Sequence, residues 1–159
     1  MSAKDDFFRK VVENREAKLN IDQAVKADIV IFQNKANALL NAIDNWFKTS
    51  GFQTKKSEVT LTEEKTGVAI EYSVHQLVIS NGDKQLAIYP ECLYNHSHAP
   101  ISKANMSVGL GDHSRLFDIH LANEGTAFEE WRITDILDIS GDGVAFSEEE
   151  FFSRIMDFA

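Results

Sequence analysis

The sequence predicts an α+β domain, with one long N-terminal helix (or two helices) and a C-terminal helix packed on an antiparallel β-sheet of about five to seven strands. Three observations carry that expectation. Between Asp22 and Phe47 the large apolar residues recur at helical spacing. From Val59 onward the period changes to two, and Asn81-Gly82 stands between two β-rich runs. Strands and helices do not alternate along the chain, which argues against a doubly wound parallel sheet.

The helical stretch contains neither Gly nor Pro, and Val25, Ile29, Phe32, Ala36, Leu39, Ile43 and Trp46 follow one another at steps of four and three. That spacing keeps them on a single stripe. Gly51 lies just past Phe47, where a helix C-terminus favours glycine. Upstream, Phe8, Val12, Arg15 and Leu19 form a stripe that Phe7 and Val11 widen. Leu19, Asp22 and Val25 are separated by two successive steps of three, which shifts the stripe around the helix. Either one long helix changes its buried face near Asn20–Gln23 or two helices meet there; a bend or short break is the favoured expectation, with Asn20-Ile21-Asp22 able to cap a second helix. The heptad-like spacing also permits a dimerising coil. Val30, Ile31, Leu40 and Phe47 broaden the stripe, however, which suits packing against a sheet better.

Val59 and Leu61 alternate with polar residues, and after a turn at Gly67 so do Val68, Ile70, Tyr72 and Val74. Asn81-Gly82 suits a type I′ hairpin turn that pairs Ser80 with Asp83 and places Leu77, Ile79, Leu86 and Ile88 on one face. Val74 lies on the opposite parity from Leu77, so a bulge near Val74–His75 is expected. Pro90 is expected to end that strand, followed by an irregular stretch at 91–102. Further strands are expected around Asn105–Gly109, over Phe117, Ile119 and Leu121, and at Trp131 and Ile133. Ser147 and Glu150 have the spacing of a capping box and open a closing helix with Phe151, Phe152, Ile155 and Met156 on its apolar face.

With 159 residues the chain is expected to be a single domain, 1–159. Its lone cysteine, Cys92, cannot form an internal disulfide, and the charged N-terminal sequence does not read as a signal peptide. A cytoplasmic location is the expectation. The net charge of −9 is unevenly distributed, since residues 111–159 hold three Lys/Arg against twelve Asp/Glu while the rest is near balance. Nucleic acid and anionic membrane are poor partners for such a chain, and a basic protein or a cation suits it better.

Asp138, Ser140, Asp142, Gly143 and Glu149 resemble positions 1, 3, 5, 6 and 12 of an EF-hand calcium loop. Ala145, Phe146 and Glu150 depart from the pattern, and a strand is expected where the entering helix belongs. Cys92, His96 and His98, with His113 and His120 elsewhere, are candidate zinc ligands without a recognised spacing. There is no Gly-x-Ser-x-Gly elbow, Gly109-Leu-Gly111 lacks the lysine and helix of a phosphate loop, and neighbours Glu129 and Glu130 would point to opposite faces of a strand. The chain is therefore expected to be non-enzymatic and to need no cofactor.

The expected function is that of a small acidic binding protein that neutralises a basic protein partner. Its most concrete form is a bacterial immunity protein inhibiting a toxin or effector domain. Asp118, Glu129, Glu130, Asp135, Glu148, Glu149 and Glu150 would speed encounter, with Trp131 as an aromatic anchor. The alternatives are a calcium-binding or calcium-regulated domain using Asp138, Ser140, Asp142 and Glu149, and a homodimeric structural protein joined through the N-terminal helix. Monomer and homodimer are both compatible with the sequence.

Overall fold

A computed structural model of the chain describes residues 2–65, 67–94, 103–111, 114–122, 127–137 and 143–159. It has a long N-terminal helix, α1 (Ala3–Lys48), a seven-stranded antiparallel sheet and a short C-terminal helix. The strands are β1 (Gln53–Lys65), β2 (Val68–Asn81), β3 (Lys84–Tyr94), β4 (Lys103–Leu110), β5 (Ser114–Leu121), β6 (Trp131–Asp135) and β7 (Val144–Ala145). They lie side by side in chain order. Helix α2 (Glu148–Ser153) and a 3₁₀ turn (Met156–Phe158) close the chain.

The bend expected at Asn20–Gln23 is absent, and α1 is one unbroken helix of 46 residues, about 69 Å long. The stripe shift marks the place where the helix leaves the sheet. Val25, Ile29, Phe32, Ala36, Leu39, Leu40, Ile43 and Phe47 are buried, whereas almost every residue from Ser2 to Asn20 is exposed. With almost no residue of that half in the core, moving apolar residues to another face imposes no strain. Ser2 and Asp5 form a capping box at the N-terminus. At the other end the Gly51 N–H donates to the Lys48 carbonyl and the Phe52 N–H to the Phe47 carbonyl. Phe52 packs its ring edge-on against Phe47, completing a Schellman-type stop.

The hairpin between β2 and β3 differs from expectation by its turn. Asn81 pairs with Lys84, so the two loop residues are Gly82 and Asp83, and Ile79 faces Leu86 while Leu77 faces Ile88. Gly82 adopts φ 63° at the first loop position, the place of glycine in a type II′ turn. Asn81 is thereby released to donate from Nδ2 to the Phe158 carbonyl at 2.7 Å, tying the C-terminus to the hairpin. Leu77, Ile79, Leu86 and Ile88 are all fully buried.

The bulge expected at Val74–His75 is also absent, because β1 and β2 pair without a register shift from Gln53↔Ser80 to Lys65↔Val68. Only Leu77–Asn81 of β2 pair with β3, leaving Val68–Gln76 as part of a two-stranded arm. Two-stranded ribbons twist more strongly than sheets, so Val68, Tyr72 and Val74 turn inward where Leu77 and Ile79 had done so. Helix α1 runs along the arm: Gln33 Nε2 donates to the Ser73 carbonyl at 2.9 Å, and His75 Nδ1 lies 3.0 Å from Asn37 Oδ1.

Pro90 does not end β3. The strand continues to Tyr94 through a register shift between Pro90 and Cys92, the kind of bulge that tolerates a residue without an N–H. The core is one contiguous cluster between α1 and the sheet, finished by aromatic rings at the C-terminal end. Phe151 is fully buried among Trp46, Phe47, Phe117, Phe146 and Phe152.

Candidate functional site

Among the described residues, Glu129, Glu130, Asp135, Glu148, Glu149 and Glu150 lie on or beside β6 and α2. The Phe146 N–H donates to the Trp131 carbonyl at 3.0 Å, which carries the chain from β7 back to the start of β6 beside Glu130. Helix α2 begins there, with Ser147 accepting from the Glu150 N–H at 3.1 Å. It ends at Arg154, whose guanidinium reaches Asp135 at the far end of β6, Nε to Oδ1 2.8 Å, and also binds the Glu150 carboxylate. These two carboxylates hold the Arg154 pKa above its usual range.

Each expected partner-binding residue has a definite place. Glu129, Glu130, Glu148 and Glu149 are exposed, and no ion pair engages their carboxylates among the described residues. The backbone beneath Glu129 and Glu130 is fixed: Lys35 Nζ donates to the Glu129 carbonyl at 3.2 Å, and the Ala122 N–H donates to the Glu130 carbonyl at 3.2 Å. Ala127, Phe128 and Glu129 all have φ near +50° to +66°, and buried Phe128 anchors this left-handed stretch under the Lys103 ammonium. Trp131 is half-buried against the core. Phe146 is likewise half-buried and stacks on Trp46 at 6.0 Å.

Asp118 lies apart from this group, on the middle of β5. Its carboxylate accepts from Arg115 Nε at 2.8 Å and from Ser107 Oγ at 3.0 Å. Glu91 Oε1 lies 3.1 Å from the same hydroxyl, whose one hydrogen thus serves two carboxylates. Tyr89, Ser107, Asp118 and Thr134 pair successively across β3, β4, β5 and β6. They share the sheet face opposite the buried Ile88, Val108, Phe117 and Ile133, since neighbouring residues in a strand alternate. His120 follows on this side, 7% exposed, with Nε2 2.7 Å from Thr134 Oγ1 and Nδ1 without a partner among the described residues. Burial lowers its pKa from the ordinary imidazole range, against a smaller opposing effect of the Leu121 backbone.

Of the calcium-loop residues, Asp138, Ser140 and Asp142 lie outside the described residues. Gly143 has φ 66°, and Val144 and Ala145 pair with Ile133 and Arg132 as β7. Glu149 is exposed on α2. Of the zinc candidates, His96, His98 and His113 lie outside the described residues as well. Cys92 is half-buried on β3 with Asn105 Nδ2 3.8 Å from its sulfur. Burial, with the nearby Glu63 carboxylate, raises its pKa and keeps it a thiol. Among the described residues no group of three or more His, Cys, Asp or Glu could hold a metal ion.

A buried polar cluster under the β1–β2 arm went unanticipated. Glu63 is only 5% exposed; its carboxylate accepts from Tyr72 Oη at 2.6 Å and from the Tyr94 N–H at 3.2 Å. Tyr94 Oη in turn donates to Asp28 Oδ2 at 2.6 Å, and Lys103 Nζ lies 3.6 Å from that carboxylate. Desolvation, and then the carboxylate each hydroxyl serves, raise both phenol pKa values well above the usual range. The signal was present in the sequence, because Val59, Leu61 and Glu63 share one strand parity. Polar neighbours paired in this way fasten the arm to α1 and β3. Comparison with protein-family models, with curated proteins and with solved structures gives no match for this chain.

Proposed function

We propose that the protein binds and neutralises a basic protein partner through the β6–α2 end, most concretely as an immunity protein directed against a toxin or effector domain. The observation that carries this reading is the contrast among the acidic residues. Asp135 and Glu150 are occupied by Arg154, while Glu129, Glu130, Glu148 and Glu149 stand exposed without ion pairs among the described residues. Carboxylates left solvated on a fixed backbone raise the encounter rate with a cationic surface and lose little conformational freedom on docking. The half-buried Trp131 and Phe146 offer apolar area beside them. A capture experiment from the source cell tests this: the wild-type chain retains a basic protein, and a Glu129→Lys, Glu130→Lys, Glu148→Lys, Glu149→Lys variant does not. Equal capture by both would refute the role of the acidic end.

A further inference from the structure

We infer that the N-terminal half of α1 is a self-association surface, on which a second copy of this chain lies antiparallel. Phe7, Phe8, Val12 and Leu19 are 63%, 55%, 52% and 56% exposed. Among the described residues no other element exposes so much apolar side chain at regular spacing. Phe8, Val12, Arg15, Leu19 and Asp22 recur at steps of four and three, the spacing of a two-helix seam. The same half of the helix carries five Lys/Arg (Lys4, Arg9, Lys10, Arg15, Lys18) and five Asp/Glu (Asp5, Asp6, Glu13, Glu16, Asp22). A surface of zero net charge with interspersed signs fits neither an anionic bilayer nor a strongly charged partner. It fits its own copy.

The direction follows from the pattern. With the two-fold axis between Val12 and Arg15, Phe8 of each copy meets Leu19 of the other, and Val12 meets the aliphatic stem of Arg15. Arg9 of each copy then faces Glu16 of the other, giving two opposite-charge pairs related by symmetry. A parallel arrangement instead brings Lys4 beside Arg9. Leu19 also borders an open cavity of about 490 Å³, shared with Arg15, Lys18, Asp22, Gly67, Val68 and Ala69 at the tip of the β1–β2 arm. In the antiparallel arrangement the Phe8 ring of the second copy is delivered to this cavity, and each copy supplies one ring and one cavity. One half-exposed ring of about 200 Å², with Val12 and Leu19, gives roughly 300 Å² of apolar surface per copy. Even with the stems of the flanking Arg and Lys the total stays below about 1,200 Å², the size of weak, reversible associations.

Sedimentation of the full chain across concentration tests the inference. The wild type is expected to pass from monomer to dimer with a midpoint on the order of micromolar. Phe8→Asp, exposed and free of the core, is expected to weaken the dimer by at least about tenfold with unchanged thermal unfolding of the monomer. Arg9→Glu and Glu16→Arg, each of which sets like charges opposite one another, are each expected to weaken self-association. An equimolar mixture of these two variants, and the double variant, are expected to restore it. A wild type that stays monomeric at about 100 µM overturns the inference, since the interface is then too weak for its area. A dimer unaffected by Phe8→Asp overturns it too, and failure of the charge exchange to restore association overturns the antiparallel register.

Discussion

Replacing Tyr72 by Phe removes one oxygen atom and isolates one face of the Glu63 carboxylate. Tyr72 Oη donates to Glu63 Oε2 at 2.6 Å, and the only other hydrogen bond described for that carboxylate comes from the Tyr94 N–H at 3.2 Å. Glu63 is buried, so water does not replace the lost donor without the arm opening. A hydrogen bond to a charged buried group contributes about 1.5–3 kcal/mol. For a chain of this length that corresponds to a melting temperature lower by about 4–10 °C. The ring itself stays, still edge-on to Phe32 at 6.2 Å, so packing is conserved and the measured loss reports the hydroxyl. Urea unfolding at pH 7 of wild type, Tyr72→Phe, Glu63→Gln and the double variant gives the coupling between the two groups. The same pair shapes the alkaline limb. Unfolded phenols lose their protons near pH 10, while Tyr72 and Tyr94, raised in the folded chain, keep theirs. Stability of the wild type therefore falls as pH rises through 10, and Tyr72→Phe falls less steeply. A Tyr72→Phe variant within about 0.5 kcal/mol of wild type at neutral pH would refute the account of this cluster.

The remaining predictions concern the C-terminal packing, the β6–β7 junction and acid stability. Phe151→Ala, at the centre of the ring cluster, is expected to cost about 3–5 kcal/mol in denaturant unfolding and to loosen α2. Gly143→Ala is expected to disrupt the β6–β7 pairing, because its Cβ would lie 2.1 Å from the Ile133 carbonyl oxygen at φ +66°; faster amide exchange at Phe146 reports it. His120 stays neutral in the folded chain where an unfolded imidazole takes up a proton, so stability falls as pH drops through about 6.5. His120→Leu is expected to flatten that dependence between pH 7.5 and 5, as read from urea midpoints, at some cost in stability at neutral pH from the loss of the Thr134 contact.

The sheet and its core were legible because alternation and burial share one cause. Period alone predicts strands at Val59, Leu61, Phe117, Ile119 and Ile133, the Asn81-Gly82 turn signal adds Leu77 and Ile79, and all lie in strands. What misled were signals whose outcome depends on neighbours. The stripe shift at Leu19–Val25 favours a bend or break in α1, but one long helix shows the same shift where its buried face changes, and a first half outside the core needs no break. Asn81-Gly82 suits a two-residue loop locally, yet Asn81 is held in the strand by its bond to the Phe158 carbonyl, 77 residues away. Pro90 suggests a strand end because the bulge that accommodates it is formed with β4, invisible locally. The acidic end is visible as charge, but the division between carboxylates taken by Arg154 and those without an ion pair among the described residues requires the fold. Glu63 and His120 were missed as buried polar groups because neither has its partner nearby in sequence: Tyr72 is nine residues from Glu63, and Thr134 fourteen from His120.

Association kinetics with the captured protein at rising salt test whether the exposed carboxylates at the β6–α2 end recruit a basic partner. The on-rate is expected to fall by at least about tenfold between 20 and 500 mM NaCl, and that of a Glu129, Glu130, Glu148, Glu149 to Lys variant to be low throughout. An on-rate independent of salt and unchanged by the four reversals would contradict that recruitment.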